Sequence, residues 1–317
     1  MKRSEISMKS AGIDVSKATL DVALAETDER LKTANRAEAF AALAEWLQGH
    51  GVRRVGLEAS GGYERAVAEH LRGSGFEVVV HQPAEVRAFA RFKRIKAKND
   101  RIDAEVIALA TAQVEGVKAA NDPRLVELAE WMTAYEQAAD RVAQMKTCLE
   151  HVTLAELKAG ELEQIKQAQL WKAKLLRAIL KRIKACPDVA RRYGLLQSLP
   201  GCGPVVAASL VVRMPELGAL QHGRAASLIG VAPFDRDTGQ SSGKRYISGG
   251  RGRPRRMLYI AALAASRFDP GLRAFAQRLH AAGKPPKVTL AAVMRKLIEA
   301  ANLVLARGTP WVPNPAN

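Results

Sequence analysis

The stretch that decides the fold is AGIDVSKATLDVAL, residues 11–24. Ala11–Asp14 and Leu20–Leu24 are short apolar runs on either side of Ser16–Lys17, the pattern of a β-hairpin. Working outward, Leu31–Asn35 is a possible third strand. Phe40, Leu43, Ala44 and Leu47 recur at helical spacing within Ala37–Leu47. Val52–Leu57 predicts a strand, broken by Ser60-Gly61-Gly62 and followed by a helix over Tyr63–Leu71. Glu77–Val80 predicts another strand, and helices follow over Pro83–Ala90 and Asn99–Gln113. Strands followed by alternating helices and strands imply an α/β layer with a mixed sheet.

Beyond residue 118 the pattern changes. Leu125, Leu128, Met132, Tyr135, Ala139, Val142, Met145, Leu149 and Val152 step by threes and fours over about four heptads. That stripe predicts a helical coiled-coil or inter-subunit helix pair, with an ordinary helical bundle as the alternative. Gly160 is placed at the turn before a second helix carrying Ile165, Leu176, Ile179 and Ile183. The third segment opens with Leu199-Pro200-Gly201-Cys202-Gly203-Pro204 between apolar helical stretches, an element whose free N–H groups could hold a phosphate. A glycine-rich basic stretch, Gly230–Arg256, precedes helices over Met257–Arg267, Leu272–Ala281 and Lys287–Ala306. Three domains are therefore expected: residues 1–118, 119–190 and 191–317.

Composition narrows the function. The 317 residues carry 49 Lys+Arg against 32 Asp+Glu, a net charge of +17, and a pI near 10.1. Residues 191–317 hold 19 basic and five acidic side chains, so the excess is C-terminal. A polyanion, in practice nucleic acid, is the partner such a surface suits. No apolar run approaches the ~18 residues of a membrane span. The N-terminal MKRSEISMKS lacks the apolar core of a secretion signal, and Met8 is an alternative start. Three cysteines without ligand spacing argue against a disulfide framework or zinc finger and for a reducing cytoplasm. The six histidines are scattered, and no nucleotide-binding P-loop is present. Trp46, Trp131 and Trp171 are expected to pack rather than stack on bases.

The carboxylates carry the chemistry. Asp14 sits inside an apolar strand, where a lone carboxylate is costly without a partner. Glu58 follows a strand, where functional groups of open α/β sheets gather. Asp100 and Asp103 share a helix face. Singly, each has an ordinary reading: a strand end, a surface acid, first-turn acids with Asn99 as cap. Jointly, four acids could hold two Mg²⁺ ions about 4 Å apart, as phosphodiester chemistry requires. The run Arg91, Lys93, Arg94, Lys96 and Lys98 directly before Asp100 suits a polyanion lying across that site. Tyr63 is a weaker site candidate. Lys244, Arg245, Arg251, Arg253, Arg255 and Arg256 place six bases within thirteen residues, interleaved with glycines that permit close approach to phosphates, and Arg295 and Lys296 could add to them.

Ala11–Lys17, Leu57–Gly61 and Lys98–Ala104 together resemble the three acidic motifs of the DEDD transposases, bacterial insertion-sequence recombinases related to the Piv DNA invertase. The Ser198–Gly203 and Ile229–Pro233 stretches resemble that family's C-terminal transposase domain. The resemblance implies an RNase H-type, RuvC-like N-terminal domain, a mainly α-helical C-terminal domain, and Asp14, Glu58, Asp100 and Asp103 as Mg²⁺ ligands. It implies strand exchange between donor and target DNA through a covalent protein–DNA link, guided by an element-encoded bridge RNA. It also implies homodimers and homotetramers in which one subunit's acids meet another's nucleophile, working at the bacterial nucleoid. The family's acid–Ser–Gly tripeptide is here Asp237-Thr238-Gly239, so Thr238 takes the nucleophile's place. Three possibilities stay open: Thr238 serves, Ser241 or Ser242 does, or the chain is altered. Two other functions remain in play: a RuvC-like metal-dependent endonuclease that uses water, and a non-catalytic nucleic-acid-binding protein.

Overall fold

The structure is a computed structural model that describes residues 9–95, 100–115, 122–234 and 245–312, apart from the side chains of Asp100 and Arg101. The chain divides into two compact units, Met1–Ala120 and Asn121–Asn317.

The first unit is built on β1 (Ser10–Val15), β2 (Thr19–Leu24), β3 (Arg30–Ala34), β4 (Arg54–Glu58) and β5 (Glu77–His81), in the order β3-β2-β1-β4-β5. The β1–β2–β3 meander is antiparallel, and β1, β4 and β5 run parallel. The third strand and the mixed sheet are thus present. Side chains of successive strand residues point to opposite faces, and the two faces have different covers. Ala11, Ile13, Val55 and Leu57 face a core made with Phe40, Leu43 and Leu47 of α1 (Ala37–Gly49) and Val67 and Leu71 of α2 (Arg65–Gly73). The other face carries Gly12 and Gly56, and on these lies α4 (Asp100–Ala112). A Cβ on Gly12 would collide with the Ala104 carbonyl oxygen and the Ala108 nitrogen; one on Gly56 would collide with Thr111 Oγ1. Only glycine admits a helix backbone this close to a strand. Helix α3 (Pro83–Phe92), opened by a Gln82–Glu85 capping box, is fixed against α4 by Val86, Val106 and Ile107.

The second unit is helical: α5 (Pro123–Leu149), α6 (Ala155–Ala185), α7 (Pro187–Gln197), α8 (Pro204–Arg213), α9 (Arg224–Ile229), α10 (Gly252–Phe268), α11 (Pro270–Ala281) and α12 (Pro286–Arg307). A two-stranded ribbon, β6 (Pro233–Phe234) with β7 (Tyr246–Ile247), interrupts it. The expected separate segment 119–190 does not stand alone. Leu128, Met132, Tyr135, Leu175, Ile179 and Ile183 join one continuous core with Leu210, Leu258 and Ile298. The stripe on α5 is buried as far as Val142, whereas Leu157, Leu162, Leu170 and Trp171 on α6 are exposed, so Trp171 does not pack as expected. Gly160 marks no turn: α6 runs straight through it, and the break between the two helices falls at residues 150–154. An exposed mid-helix glycine costs only about 1 kcal/mol, which a helix of 31 residues absorbs.

Candidate active site

The sheet register sets the acids side by side. Asp14 is the direct antiparallel partner of Asp21, and Glu58 is the parallel partner of His81. Ile13 pairs with Leu57, so Asp14 and Glu58 occupy the next position of the same ladder. Asp21, Asp14, Glu58 and His81 therefore form one row across four strands, on the face that α4 covers. Like charges directly opposite one another destabilise an antiparallel pair. Lys32 Nζ, 3.0 Å from Asp21 Oδ2, offsets the first of them. Asp14 is the one residue of β1 that is not buried.

The two glycines lie two residues before the two acids, on the same face. They bring α4 down on the sheet, and with it Asp103. A cavity of about 780 Å³ is lined by Asp14, Glu58 and Asp103 together with Ala84, Val86, Arg87, Ala90, Arg91, Ile95 and Val106. Three of the four expected acids thus meet in one space. Asp100 heads α4, but its side chain lies outside the described residues, as do Lys96 and Lys98. Among the described residues no three His, Cys, Asp or Glu side chains close into a ready-made metal cage. The carboxylates line a shared cavity instead, and their all-oxygen donor set is the kind hard divalent cations take.

The surroundings hold the row in place. Arg30 of β3 bonds Glu105 of α4 at 2.8 Å. His81 Nε2 lies 2.8 Å from Thr111 Oγ1, whose hydroxyl donates to the Ile107 carbonyl at 2.6 Å; the imidazole therefore donates from Nε2. Burial lowers the His81 pKa, with Glu85 opposing. After Glu58 the chain turns through Ser60–Gly62, clamped by Glu64, whose Oε2 accepts from Ser60 N, Ser60 Oγ and Gly62 N at 2.8–3.1 Å. Burial raises the Glu64 pKa, but hydrogen bonds from its own backbone N–H and from Gly62 and Ser60 outweigh it and hold the carboxylate below its ordinary range. Tyr63 is half exposed and lies outside the cavity lining. Asp21, Glu64 and Arg87 were not picked out from sequence. Asp21 alternates with buried Leu20 and Val22 just as Asp14 does with its neighbours, and that signal was available.

Residues 11–156 match a DEDD transposase model of the IS110 type, and residues 193–277 match one described as Transposase IS116/IS110/IS902 family. Together the two segments span more than two thirds of the chain. The chain belongs to the IS110 family of insertion-sequence transposases. It is 25% identical over 315 residues to the pilin gene-inverting proteins of Moraxella bovis and Moraxella lacunata, covering 95% of this chain and 96% of each relative. It is also 29% identical over 135 residues to an insertion element IS110 protein of 43.6 kDa from Streptomyces coelicolor, covering 42% of this chain and 33% of that one. A structure of T. thermophilus RuvC in complex with Holliday junction substrate aligns at 16% identity over 32% of this chain and 91% of that chain. Its TM-score of 0.28 is too low to support the fold assignment, which rests on the strand order above.

As an IS110 transposase the protein is a DNA recombinase, and its basic residues bear on where DNA lies. Arg91, Lys93 and Arg94 are exposed on and just after α3. The arginines at the start of α10 have internal partners. Arg251 bonds Glu216 (2.8 Å from Nη1) and the Arg213 carbonyl. Arg253, with Arg213, bonds the buried Glu136. Arg255 donates to the Gly230 and Gly249 carbonyls, and Arg256 pairs with Asp140 at 3.2 Å. This run, read from sequence as a nucleic-acid contact, therefore also fastens α10 to α5 and the α8–α9 connection. Arg253 and Arg256 keep half or more of their side-chain surface exposed. Arg245 is exposed; Lys244, Asp237, Thr238, Ser241 and Ser242 lie outside the described residues. Among the described residues no helix is long and apolar enough to cross a membrane.

Proposed function

We propose that this transposase cuts and rejoins DNA strands at the cavity lined by Asp14, Glu58 and Asp103, through a covalent link to a hydroxyl of its own C-terminal loop. The observation that carries the reading is the single cavity that Asp14, Glu58 and Asp103, from β1, β4 and α4, line together. The strand order, with an antiparallel meander leading into parallel strands, supports the RuvC-like fold that the motifs imply. Asp14, Glu58, Asp103 and Asp100 would hold Mg²⁺, two ions in the fullest reading. Bound there, the metal supplies charge stabilisation at the attacked phosphate and lowers the pKa of a nearby alcohol.

The chain's own residues do the rest. Thr238, by motif position, would provide the Oγ that attacks phosphorus. As that bond forms, one phosphodiester P–O bond breaks, so bond energy is conserved and no nucleotide is hydrolysed. Ser241 and Ser242 are the neighbouring hydroxyls that could replace it. Arg91, Lys93, Arg94, Arg245 and the exposed parts of Arg253 and Arg256 would contact DNA phosphates. The pilin gene-inverting relatives, which match nearly the whole chain, support recombination rather than simple cleavage. Sequence choice would be delegated to an element-encoded bridge RNA that pairs with donor and target. A dimer or tetramer would bring one protomer's loop to another's acids.

The test is a covalent protein–DNA adduct on a denaturing gel in Mg²⁺, with sequencing of RNA that copurifies. A discrete element-derived transcript supports guidance, and random cellular RNA argues against it. Cleavage without adduct would favour the endonuclease, and binding without either would leave a nucleic-acid-binding protein.

A further inference from the structure

The acidic cavity has a second wall that the family's acidic motifs do not describe. Arg87 and Arg91 line it, four residues apart on α3 and so on one side of that helix. An exposed arginine pair is ordinarily left to water. These two are instead carried by a helix that Val86, itself part of the cavity lining, packs against Val106 and Ile107 of the helix that bears Asp103. Pro83 at the first turn and the Gln82–Glu85 capping box fix where α3 starts, directly after the strand that pairs with Glu58. Arg87 Nε donates to the Pro83 carbonyl at 3.1 Å, which directs the guanidinium back along α3 toward its N-terminus. That bond uses one of the five N–H donors of a guanidinium.

Three carboxylates alone repel a phosphodiester. Arg87 and Arg91 in the lining of the same cavity give it an attractive side, and the forked donors of a guanidinium match two non-bridging phosphate oxygens. We propose that Arg87 and Arg91 grip the phosphate of the DNA strand held at Asp14, Glu58 and Asp103, and position it for attack. They are positioning residues: the carboxylates take the cation, the arginines take the phosphate, and each wall makes the other's ligand bind better in the ternary complex. The inference rests on the reading of this cavity as the strand-cutting site.

The experiment uses the full-length chain with Arg87→Gln/Arg91→Gln, and Arg87→Lys/Arg91→Lys as the charge-preserving control. Free Mn²⁺ is followed by electron paramagnetic resonance during titration, first without nucleic acid and then with a short DNA duplex. Removing two cations from the lining of the cavity that the carboxylates share should tighten Mn²⁺ binding without DNA by roughly three- to tenfold. A lesion that merely loosens the fold would weaken it. With duplex present, the wild type should gain Mn²⁺ affinity and the glutamine variant should gain less, because coupling between two ligands is reciprocal. Adduct formation should fall on the order of 100-fold in the glutamine variant. The lysine variant should keep wild-type Mn²⁺ affinity but form adduct more slowly, for want of the forked donors. Unchanged Mn²⁺ affinity in the glutamine variant at an unchanged melting temperature would overturn the inference, as would adduct formation within about threefold of wild type. If the wild type forms no adduct, the proposed function fails, while the Mn²⁺ comparison still decides whether the arginines share the cavity with the acids.

Discussion

Gly12 and Ala104 meet so closely that the strand carrying Asp14 and the helix carrying Asp103 touch backbone to backbone. Gly56, two residues before Glu58, likewise leaves room for α4, here for the Thr111 side chain. The site is therefore made by two absent side chains as much as by the carboxylates. The glycines set the distance between sheet and helix, and the acids emerge where that contact ends.

Gly12→Ala should push α4 off the sheet. Overpacking against backbone costs about 1–3 kcal/mol, and here neither partner is a flexible side-chain tip that could move aside. Urea denaturation should show that loss, and adduct formation should fall by more than the stability change explains, because Asp103 moves relative to Asp14. A stable, fully active Gly12→Ala protein would contradict the packing account.

Arg213→Ala should damage stability more than DNA binding. Glu136 is 9% exposed at its side chain and shares Arg213 and Arg253. Burial lowers the Arg213 pKa, Glu136 opposes that shift, and the neighbouring Arg253 adds to it. Removing a partner from a buried ion pair costs about 3–5 kcal/mol, here toward the lower end because Arg253 remains. Arg253→Ala, half exposed, should cost less, about 1 kcal/mol. Chemical denaturation of the two variants should rank them in that order, and the salt dependence of DNA binding should change little for Arg213→Ala.

The three thiols should separate by reactivity. Cys148 is exposed and Cys186 partly so, while Cys202 is buried in the second unit's core. Burial pushes the Cys202 thiol up to about 12, so almost no thiolate exists near neutrality. Alkylation of the native protein followed by peptide mass spectrometry should modify Cys148 first and leave Cys202 untouched until denaturant is added. Rapid native labelling of Cys202 would mean that the α7–α8 junction opens.

The sequence was legible where one residue broke a strong local pattern. Asp14 stands out in an apolar strand, Glu58 at a strand's end, and the apolar runs on either side of Ser16–Lys17 and before Ser60-Gly61-Gly62 marked the strands. The middle helices were legible as helices, but not their attachment, because Met132 and Ile179 share one core with Leu210, Leu258 and Ile298, which lie 31 to 166 residues further along the chain. The arginine run 251–256 reads as a free cationic surface until Glu216, Glu136 and Asp140 are brought beside it. Arg87 was invisible for a similar reason: its place in the acidic cavity depends on how α3 packs against α4, and nothing in its own neighbourhood marks it.

The most direct measurement is the covalent adduct formed by wild type, Asp14→Ala and Thr238→Ala with the element's own DNA in Mg²⁺, resolved on a denaturing gel. The account expects a protein–DNA band for the wild type alone, abolished by either substitution while both variants still melt cooperatively. An adduct of undiminished intensity in Asp14→Ala, or strand cutting by the wild type with no protein attached, would contradict it.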